Sequence, residues 1–135
     1  MTELRVLVID DEELVRDVLA RLLRRLGAEV VSEADGEGGV ARYAEAMSDG
    51  RRFDAVLVDL TISGGRDGKE VVSELLGVDP DCRAIVCSGY SNDPALVDHA
   101  RFGFRSRITK PFRMADLRRA LWEATGRGGE GDGAN

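Results

Sequence analysis

The sequence has 135 residues, 43% of them hydrophobic and 33% charged, which suits one globular domain with a buried core. This composition excludes collagen-like, coiled-coil and wholly disordered chains. Acidic residues outnumber basic residues by 25 to 19, and the formal net charge of -6 indicates that the chain does not bind nucleic acid directly.

Short apolar runs alternate with amphipathic segments along the chain. The runs are mostly continuous, which is typical of strands buried on both faces of a sheet. They predict strands at 4–9, 28–32, 55–58, 84–87 and 105–109. The segments between them repeat apolar residues at spacings of three and four, which is the period of a helix. They predict helices at 12–26, 36–47, 68–76, 94–102 and 114–125.

Five successive strand–helix units predict a parallel sheet with helices on both faces and right-handed crossovers. The fifth strand is polar, so we expect it at an edge of the sheet. Ligands of such sheets bind beyond the carboxyl ends of the strands, and the residues there therefore carry the functional prediction. We place this domain at 1–125. Residues 126–135 contain five glycines, and we expect a flexible tail there.

The cysteines and the absence of long apolar runs indicate a cytoplasmic protein. Cys82, Cys87 and the single histidine, His99, are too few ligands for a zinc site. We interpret the cysteines as free thiols, with a disulfide as the alternative. No apolar run approaches the ~20 residues of a membrane span, and the N-terminus lacks the layout of a signal peptide. We therefore expect no insertion into a membrane.

Charged or hydroxyl side chains stand at the ends of four predicted strands. Asp10 and Asp11 follow the first strand, Asp59 the third, Ser88 the fourth and Lys110 the fifth. Carboxylates at one edge repel each other unless a cation lies between them, and Mg²⁺ prefers oxygen ligands. A carboxylate beside Mg²⁺ and a lysine can attack a phosphorus atom, which requires positioning and charge neutralisation. The pattern predicts a phosphoryl acceptor with Asp59 as the nucleophile.

Four stretches of the sequence resemble the receiver domain of bacterial two-component response regulators. They are Val-Leu-Val-Ile-Asp-Asp-Glu at 6–12, Val-Leu-Val-Asp-Leu at 56–60, Cys-Ser-Gly-Tyr at 87–90 and Thr-Lys-Pro-Phe at 109–112. The resemblance covers residues 4–125 and implies a flavodoxin-like doubly wound (βα)5 fold with strands in the order 2-1-3-4-5. Two loops are similar to those of receivers attached to hybrid sensor histidine kinases.

The resemblance implies a role for each residue at the strand ends. Asp59 accepts a phosphoryl group from a histidine kinase or a histidine phosphotransfer protein. Ser88 and Lys110 contact the installed phosphoryl group, and the bond between Lys110 and Pro111 is cis. The implied magnesium ligands are Asp10, Asp11, Asp59 and, through its backbone carbonyl, Thr61.

Several positions depart from the usual receiver pattern, and two others are positions that tune hydrolysis of the phospho-aspartate in this family. Receivers tend to place an aromatic residue three positions before the lysine, where this sequence has Arg107, so the usual aromatic switch is not expected. Ile62 and Ser63 stand where Met-Pro is usual, and that loop is one residue longer. Thr61 and Tyr90 occupy the positions that tune hydrolysis of the phospho-aspartate in this family. Because Tyr90 is bulky, we expect it to shield the phosphorus from water and to prolong the phosphoryl state.

The resemblance also implies an output surface. Phosphorylation adds up to about two negative charges, and the face formed by the fourth helix, the fifth strand and the fifth helix repacks in response. That face contacts a downstream protein or an attached output domain, or forms a homodimer. We interpret the basic residues in this part of the chain either as solvated surface or as a docking face. They are Arg101, Arg105, Arg107, Arg118 and Arg119.

Three alternatives use a similar edge of a sheet. A phosphatase of the haloacid dehalogenase type would need a second acid two residues after Asp59, where the sequence has Thr61. A flavin binder would need a glycine-rich loop after the first strand, where Asp10 and Asp11 would repel a phosphate. A receiver-like binding module that works without phosphorylation is the remaining alternative. We expect no enzymatic activity apart from Mg²⁺-dependent self-phosphorylation and autodephosphorylation.

Overall fold

A five-stranded parallel sheet lies at the centre of the computed structural model, which describes residues 3–61, 67–89 and 93–126. The strands are β1 (Arg5–Ile9), β2 (Glu29–Glu33), β3 (Ala55–Asp59), β4 (Ala84–Ser88) and β5 (Ser106–Thr109). Their order is β2-β1-β3-β4-β5, which confirms the predicted fold. Strands β3 and β4 are buried along their whole length, because helices cover both faces of the sheet.

The helices divide between the two faces of the sheet. One apolar cluster packs beneath α1 (Glu13–Arg25) and α5 (Met114–Thr125). The other packs beneath α2 (Gly36–Ser48), α3 (Gly68–Val78) and the short α4 (Pro94–Val97). Within the described ranges, no helix combines the length and the apolar character that a membrane span requires.

The prediction of one continuous helix at 94–102 is wrong. The α-helix ends at Val97, and His99–Phe102 forms a 3-10 helix. Asp98 separates them with φ -130° and ψ 60°, which lies outside the helical region. The turn after this break brings Phe102 against the apolar cluster on the same face of the sheet. The spacing of apolar residues does not reveal this break in the helix, because the break lies at a polar residue, Asp98.

The start of α3 is held against the end of β3. The carboxylate of Asp67 accepts a hydrogen bond from the amide of Glu70 at 3.0 Å, and the Glu70 carboxylate accepts one from the amide of Asp67 at 3.1 Å. This reciprocal capping satisfies two amides that a helix start otherwise leaves unpaired. The next amide, that of Gly68, donates to the carbonyl of Leu60 at 3.0 Å. The cap thus fixes α3 beside the residue that follows Asp59.

The interpretation of the cysteines as free thiols is confirmed, since Cys82 and Cys87 are both buried and unpaired. Burial raises the pKa of Cys82 to about 11, so this thiol is neutral and unreactive near neutral pH. Residues 127–135 of the predicted tail lie outside the described residues. Gly126 ends α5 in a left-handed conformation with φ 76°, which favours glycine.

Candidate functional site

Three carboxylates from neighbouring strands meet at the carboxyl edge of the sheet. Asp10 and Asp11 follow β1, Asp59 is the last residue of β3, and the two strands pair directly. Three carboxylate oxygens, one from each of these residues, lie within 4.8 Å of one another. The structure therefore brings together the three acidic residues that the sequence predicted to converge, because parallel strands end at the same edge.

Asp10 is the most constrained member of this acidic cluster. Its side chain is buried, and its Oδ1 accepts a hydrogen bond from the amide of Glu12 at 2.9 Å. Its Oδ2 is also buried and has no hydrogen-bond partner among the residues that the structure describes. Burial raises the pKa of Asp10 above the ordinary value of 3.8, and the charge of Asp59 adds to this effect. A buried carboxylate oxygen that lacks a donor and faces two other carboxylates fits a divalent cation such as Mg²⁺.

Lys110 places a positive charge beside the cluster. Its Nζ lies 3.6 Å from Asp10 Oδ2 and 3.6 Å from Asp59 Oδ1, and 3.8 Å from Glu12 Oε1. Burial alone would lower the pKa of Lys110, but the charges of Asp59 and Asp10 outweigh it and raise that pKa. The amine is therefore protonated at neutral pH and partly offsets the repulsion among the carboxylates. The bond from Lys110 to Pro111 is cis.

Among the described residues, Thr61 and Lys110 contact the carboxylate of Asp59. Thr61, two residues further along the chain, places its amide nitrogen 3.3 Å and its hydroxyl 3.4 Å from Asp59 Oδ1. Both distances are long for hydrogen bonds. The Asp59 side chain is 2% exposed, so protein atoms rather than solvent surround it at the sheet edge.

Ser88 stands beside this carboxylate at the end of β4. It is buried, and the carbonyl of Ser88 accepts a hydrogen bond from the amide of Lys110 at 2.8 Å. In the sheet register Asp59 is opposite Cys87, so Ser88 is one residue beyond the strand partner of Asp59. Ser88 and Lys110, which the sequence predicted for this site, are thus joined through their backbones next to the strand that ends in Asp59.

The structure describes one of the two predicted tuning residues Tyr90 and Arg107. Tyr90 is outside the described residues. Arg107 is on the exposed side of β5 and donates a hydrogen bond to the carbonyl of Leu96 at 2.6 Å, so it contacts α4 rather than the acidic cluster.

Sequence reasoning missed two residues near the site. Arg16 donates to the carbonyl of Asp10 at 2.8 Å, which ties α1 to the end of β1. Gly68 lies against the backbone of Asp59 and Leu60. The position of Arg16, one helical turn after Glu12, was a usable signal. Nothing in the local sequence indicates that Gly68 approaches β3, because the contact is between separate elements.

The strand order, the acidic edge and the lysine define the class of CheY-like receiver domains. The family model described as "Response regulator receiver domain" matches residues 6–122. The chain belongs to this family of response regulator receiver domains.

Individual relatives agree with this assignment. Chemotaxis protein CheY of Thermotoga maritima is 30% identical over 118 residues, which cover 87% of this chain and 93% of that protein. The DNA-binding transcriptional activator DevR/DosR of Mycobacterium tuberculosis is 31% identical over 117 residues, covering 87% of this chain and 52% of the activator. The receiver domain of a sensor histidine kinase of Pseudomonas aeruginosa superposes with a TM-score of 0.79 at 24% identity, covering 93% of this chain and 99% of that domain. The last comparison shows the shared fold.

Proposed function

We propose that this receiver accepts a phosphoryl group onto Asp59 from a histidine kinase or a histidine phosphotransfer protein. The observation that carries the proposal is the joint placement of three carboxylates within 4.8 Å and of the Lys110 Nζ at 3.6 Å from Asp59. A structural salt bridge alone would not need three acids around one lysine. The proposed location is the cytoplasm, and the proposed chemistry is confined to self-phosphorylation and autodephosphorylation.

The acidic cluster is the proposed magnesium site. Asp10, Asp11 and Asp59 would each supply a carboxylate oxygen, and Thr61 would supply its backbone carbonyl. The buried Asp10 Oδ2 without a donor supports this assignment. The related Pseudomonas aeruginosa receiver holds a magnesium ion in its active-site cleft. When bound, Mg²⁺ would neutralise the charge that accumulates between the carboxylates and the phosphoryl oxygens.

The proposed transfer is a direct exchange of one bond to phosphorus for another. A carboxylate oxygen of Asp59 forms a bond to phosphorus with its own electron pair. The bond from phosphorus to the imidazole nitrogen of the donor histidine breaks, and its electron pair stays on that nitrogen. The Lys110 ammonium and the Ser88 hydroxyl then contact the oxygens of the transferred group. These residues act by positioning and by charge stabilisation, which is what phosphoryl transfer needs from a protein.

The donor protein would dock beside the site on α1. Leu14 and Val18 are 79% and 47% exposed, although both are large and apolar. They are separated by four residues on the helix and therefore lie on one face, close to Asp10 and Asp11 in the chain. An apolar patch next to the acceptor suits a helix of a phosphohistidine donor.

The proposed output passes to the face formed by α4, β5 and α5. Without a phosphoryl group, the Lys110 Nζ lies 3.6 Å from both Asp59 and Asp10. A phosphoryl group on Asp59 would draw this amine into new contacts. Lys110 directly follows β5, and the change would therefore reach that strand and the helices packed on it. A downstream protein, an attached output domain or a second copy would read the changed face. In the Mycobacterium tuberculosis activator the matching region is about half of the protein, 52% of its length.

The test is phosphorylation by a small donor. The protein is mixed with Mg²⁺ and acetyl phosphate, and its intact mass is measured at once. We expect the wild type to gain one phosphoryl group and Asp59→Asn and Asp59→Ala to gain none. The control variant is Asp49→Asn, in which an exposed aspartate after α2 is replaced, and we expect it to be labelled like the wild type. Equal labelling of the Asp59 variants would contradict the proposal. No labelling of a wild type that binds Mg²⁺ would favour a binding module that works without phosphorylation.

A further inference from the structure

A closed ring of hydrogen bonds joins the end of β1 to the first turn of α1, next to the acidic cluster. The Glu12 amide donates to Asp10 Oδ1 at 2.9 Å, and the Arg16 amide donates to the Glu12 carbonyl at 3.0 Å. The Arg16 guanidinium donates to the Asp10 carbonyl at 2.8 Å, which closes the ring. We call these three residues the Asp10 ring. They hold both the side chain and the main chain of Asp10.

The carbonyl that Arg16 contacts belongs to the peptide unit between Asp10 and Asp11. A peptide unit is planar, so a hydrogen bond to its carbonyl also restricts the backbone of Asp11. The Asp10 amide donates to the carbonyl of Glu33 at 3.1 Å. Main-chain hydrogen bonds therefore fix Asp10 to the end of β2 and to α1 at the same time.

The Asp10 ring leaves one carboxylate oxygen for the acidic cluster. Asp10 Oδ1 accepts from the Glu12 amide, whereas Asp10 Oδ2 is buried and lies 3.6 Å from the Lys110 Nζ. Because the main chain and Oδ1 of Asp10 are held, Oδ2 has little freedom to turn away from the cluster. Groups that are fixed before a ligand arrives lose less conformational freedom on binding.

The direction of the Arg16 side chain favours a role at the strand end over one in stabilising α1. Glu12 and Glu13 precede Arg16 by four and three residues, the spacings at which side chains pair on a helix. The Glu12 carboxylate instead lies 3.8 Å from the Lys110 Nζ, and Arg16 Nη1 donates to the carbonyl of Asp10. The half-buried Arg16 thus uses this donor on the residue that carries the most buried carboxylate of the cluster.

We propose that Arg16 is a positioning residue of the magnesium site, which acts through the Asp10 ring and raises the preference of the site for Mg²⁺ over Ca²⁺. The inference rests on the proposed function, because that function places the ion at the acidic cluster. Mg²⁺ requires short bonds in a nearly octahedral arrangement, whereas Ca²⁺ accepts longer bonds and irregular arrangements. A less restrained Asp10 should therefore weaken binding of Mg²⁺ more than binding of Ca²⁺.

The electron paramagnetic resonance signal of free Mn²⁺ measures metal binding without any phosphorylation. The protein is titrated with Mn²⁺, and Mg²⁺ or Ca²⁺ then displaces the bound ion, which gives an affinity for each metal. Arg16→Met is expected to weaken Mg²⁺ binding about tenfold, a usual cost of losing a group that orients a metal ligand, and Ca²⁺ binding by less than about threefold.

The matched control is Arg25→Met, which removes the same charge from the last turn of α1. A rise of 1.5 Å per residue places Arg25 about 14 Å further along the helix, beyond the screening length of about 10 Å at 0.1 M salt. This variant should therefore keep the wild-type affinity for both ions. Equal weakening of Mg²⁺ binding by the two arginine variants would overturn the inference.

Salt separates positioning from the simple loss of a charge. An effect through space fades at high salt, because the screening length falls to about 3 Å at 1 M, whereas an effect on the geometry of Asp10 persists. We expect the ratio of the wild-type and Arg16→Met affinities for Mg²⁺ to stay within about twofold between about 0.1 M and 1 M KCl. Loss of this ratio at high salt, equal weakening of Mg²⁺ and Ca²⁺ binding, or no metal binding by the wild type would overturn the inference.

Arg16→Lys keeps the inference testable if Arg16→Met does not fold. It retains the charge and a donor but carries them on a flexible stem instead of a rigid fork. We expect it to weaken Mg²⁺ binding about threefold and to leave Ca²⁺ binding unchanged. Wild-type affinity for Mg²⁺ in a folded Arg16→Lys, with Arg16→Met unfolded, would overturn the inference.

The mass gain with acetyl phosphate, measured on the same samples, separates this inference from the proposed function. Labelling of the wild type together with an unchanged Mg²⁺ affinity in Arg16→Met would remove the positioning role and keep the acceptor proposal. An Mg²⁺ affinity that depends on Arg16, without labelling of the wild type, would keep the positioning role and remove the acceptor.

Discussion

Gly68 at the start of α3 lies directly against the backbone of Asp59. A β-carbon at Gly68 would come within 2.9 Å of the Asp59 carbonyl oxygen and within 2.8 Å of the Leu60 Cα. Both neighbours are main-chain atoms, so they cannot rotate away as a side chain would. The position of Asp59 therefore depends on a glycine in another element of the fold.

Gly68→Ala is expected to displace Asp59 and to destabilise the protein by about 1–3 kcal/mol, because overpacking forces the backbone to shift. The rate of labelling by acetyl phosphate should fall as well. Gly77→Ala is the control on the same helix, since a β-carbon there meets no atom within 4 Å. That change should stabilise the protein by up to about 1 kcal/mol and leave labelling unchanged. Urea unfolding and intact mass measure both effects, and similar behaviour of the two variants would refute the close-contact explanation.

Lys110→Met is expected to slow labelling of Asp59 by about 10²-fold, as loss of a group that stabilises the transferred phosphoryl charge commonly does. The sequence contains one other lysine, Lys69, whose Nζ lies 5.1 Å from the centre of the Phe102 ring. Lys69→Met removes the same charge away from the acidic cluster and should leave the rate unchanged. Time courses of the mass gain compare the two. A comparable loss in both variants would show that net charge, rather than the position of Lys110, governs the rate.

Tyr43→Phe is expected to lower the free energy of unfolding by about 1–3 kcal/mol near neutral pH, because the buried carboxylate of Asp79 loses a hydrogen-bond donor. The Tyr43 hydroxyl donates to Asp79 Oδ2 at 2.6 Å, and Arg52 Nε lies 3.3 Å from the same oxygen. Burial alone would raise the pKa of Asp79, but the hydrogen bonds from Tyr43 and from the Asp81 amide, with the charge of Arg52, lower it.

The lowered pKa of Asp79 sets the sign of the pH dependence. Its ionised form stabilises the fold at pH above the ordinary value of 3.8, and this contribution is lost as pH falls through the lower folded-state pKa. The loss of unfolding free energy in Tyr43→Phe should therefore be largest near neutral pH and become smaller in acid. Urea unfolding at about pH 7 and about pH 3 measures it, with Asp79→Asn in both backgrounds as a double-mutant cycle. A deficit that does not change with pH would contradict the assignment.

Tyr90→Ala is expected to shorten the lifetime of the phospho-aspartate several-fold. The sequence places this bulky side chain two residues after Ser88, and its loss should admit water to the phosphorus. Decay of the phosphorylated mass after removal of acetyl phosphate measures the lifetime. Ser91→Ala, the change at the next residue, is expected to have little effect. An unchanged lifetime in Tyr90→Ala would end the shielding hypothesis.

Leu14→Gln is expected to slow transfer from a phosphorylated histidine donor protein about tenfold while labelling by acetyl phosphate continues, because a small donor needs no docking helix. Val78→Gln is the control, since Val78 is also apolar and 38% exposed but lies at the end of α3. The ratio of the two transfer rates measures docking. Equal slowing by both variants would point to a general loss of stability.

Much of the site could be predicted because parallel strands end at one edge. Asp10, Asp11 and Asp59 each follow a continuous apolar run, so their convergence follows from the fold class alone. The chemical roles of these residues, like those of Ser88, Thr61, Tyr90 and Lys110, remain predictions. The helix at 94–102 could not be predicted correctly, because the break at Asp98 depends on how the following turn packs against the core.

The sequence by itself determined the alternation of five strands with helices, the acidic edge and the lysine that follows the last strand. It did so because the period of apolar residues reports which side of each element is buried. The tertiary structure alone decided the approach of Gly68 to Asp59, the bond from Arg107 to the end of α4 and the buried pairing of Tyr43 with Asp79. Each of these joins residues of separate elements, and such distances depend on how the elements pack rather than on spacing along the chain.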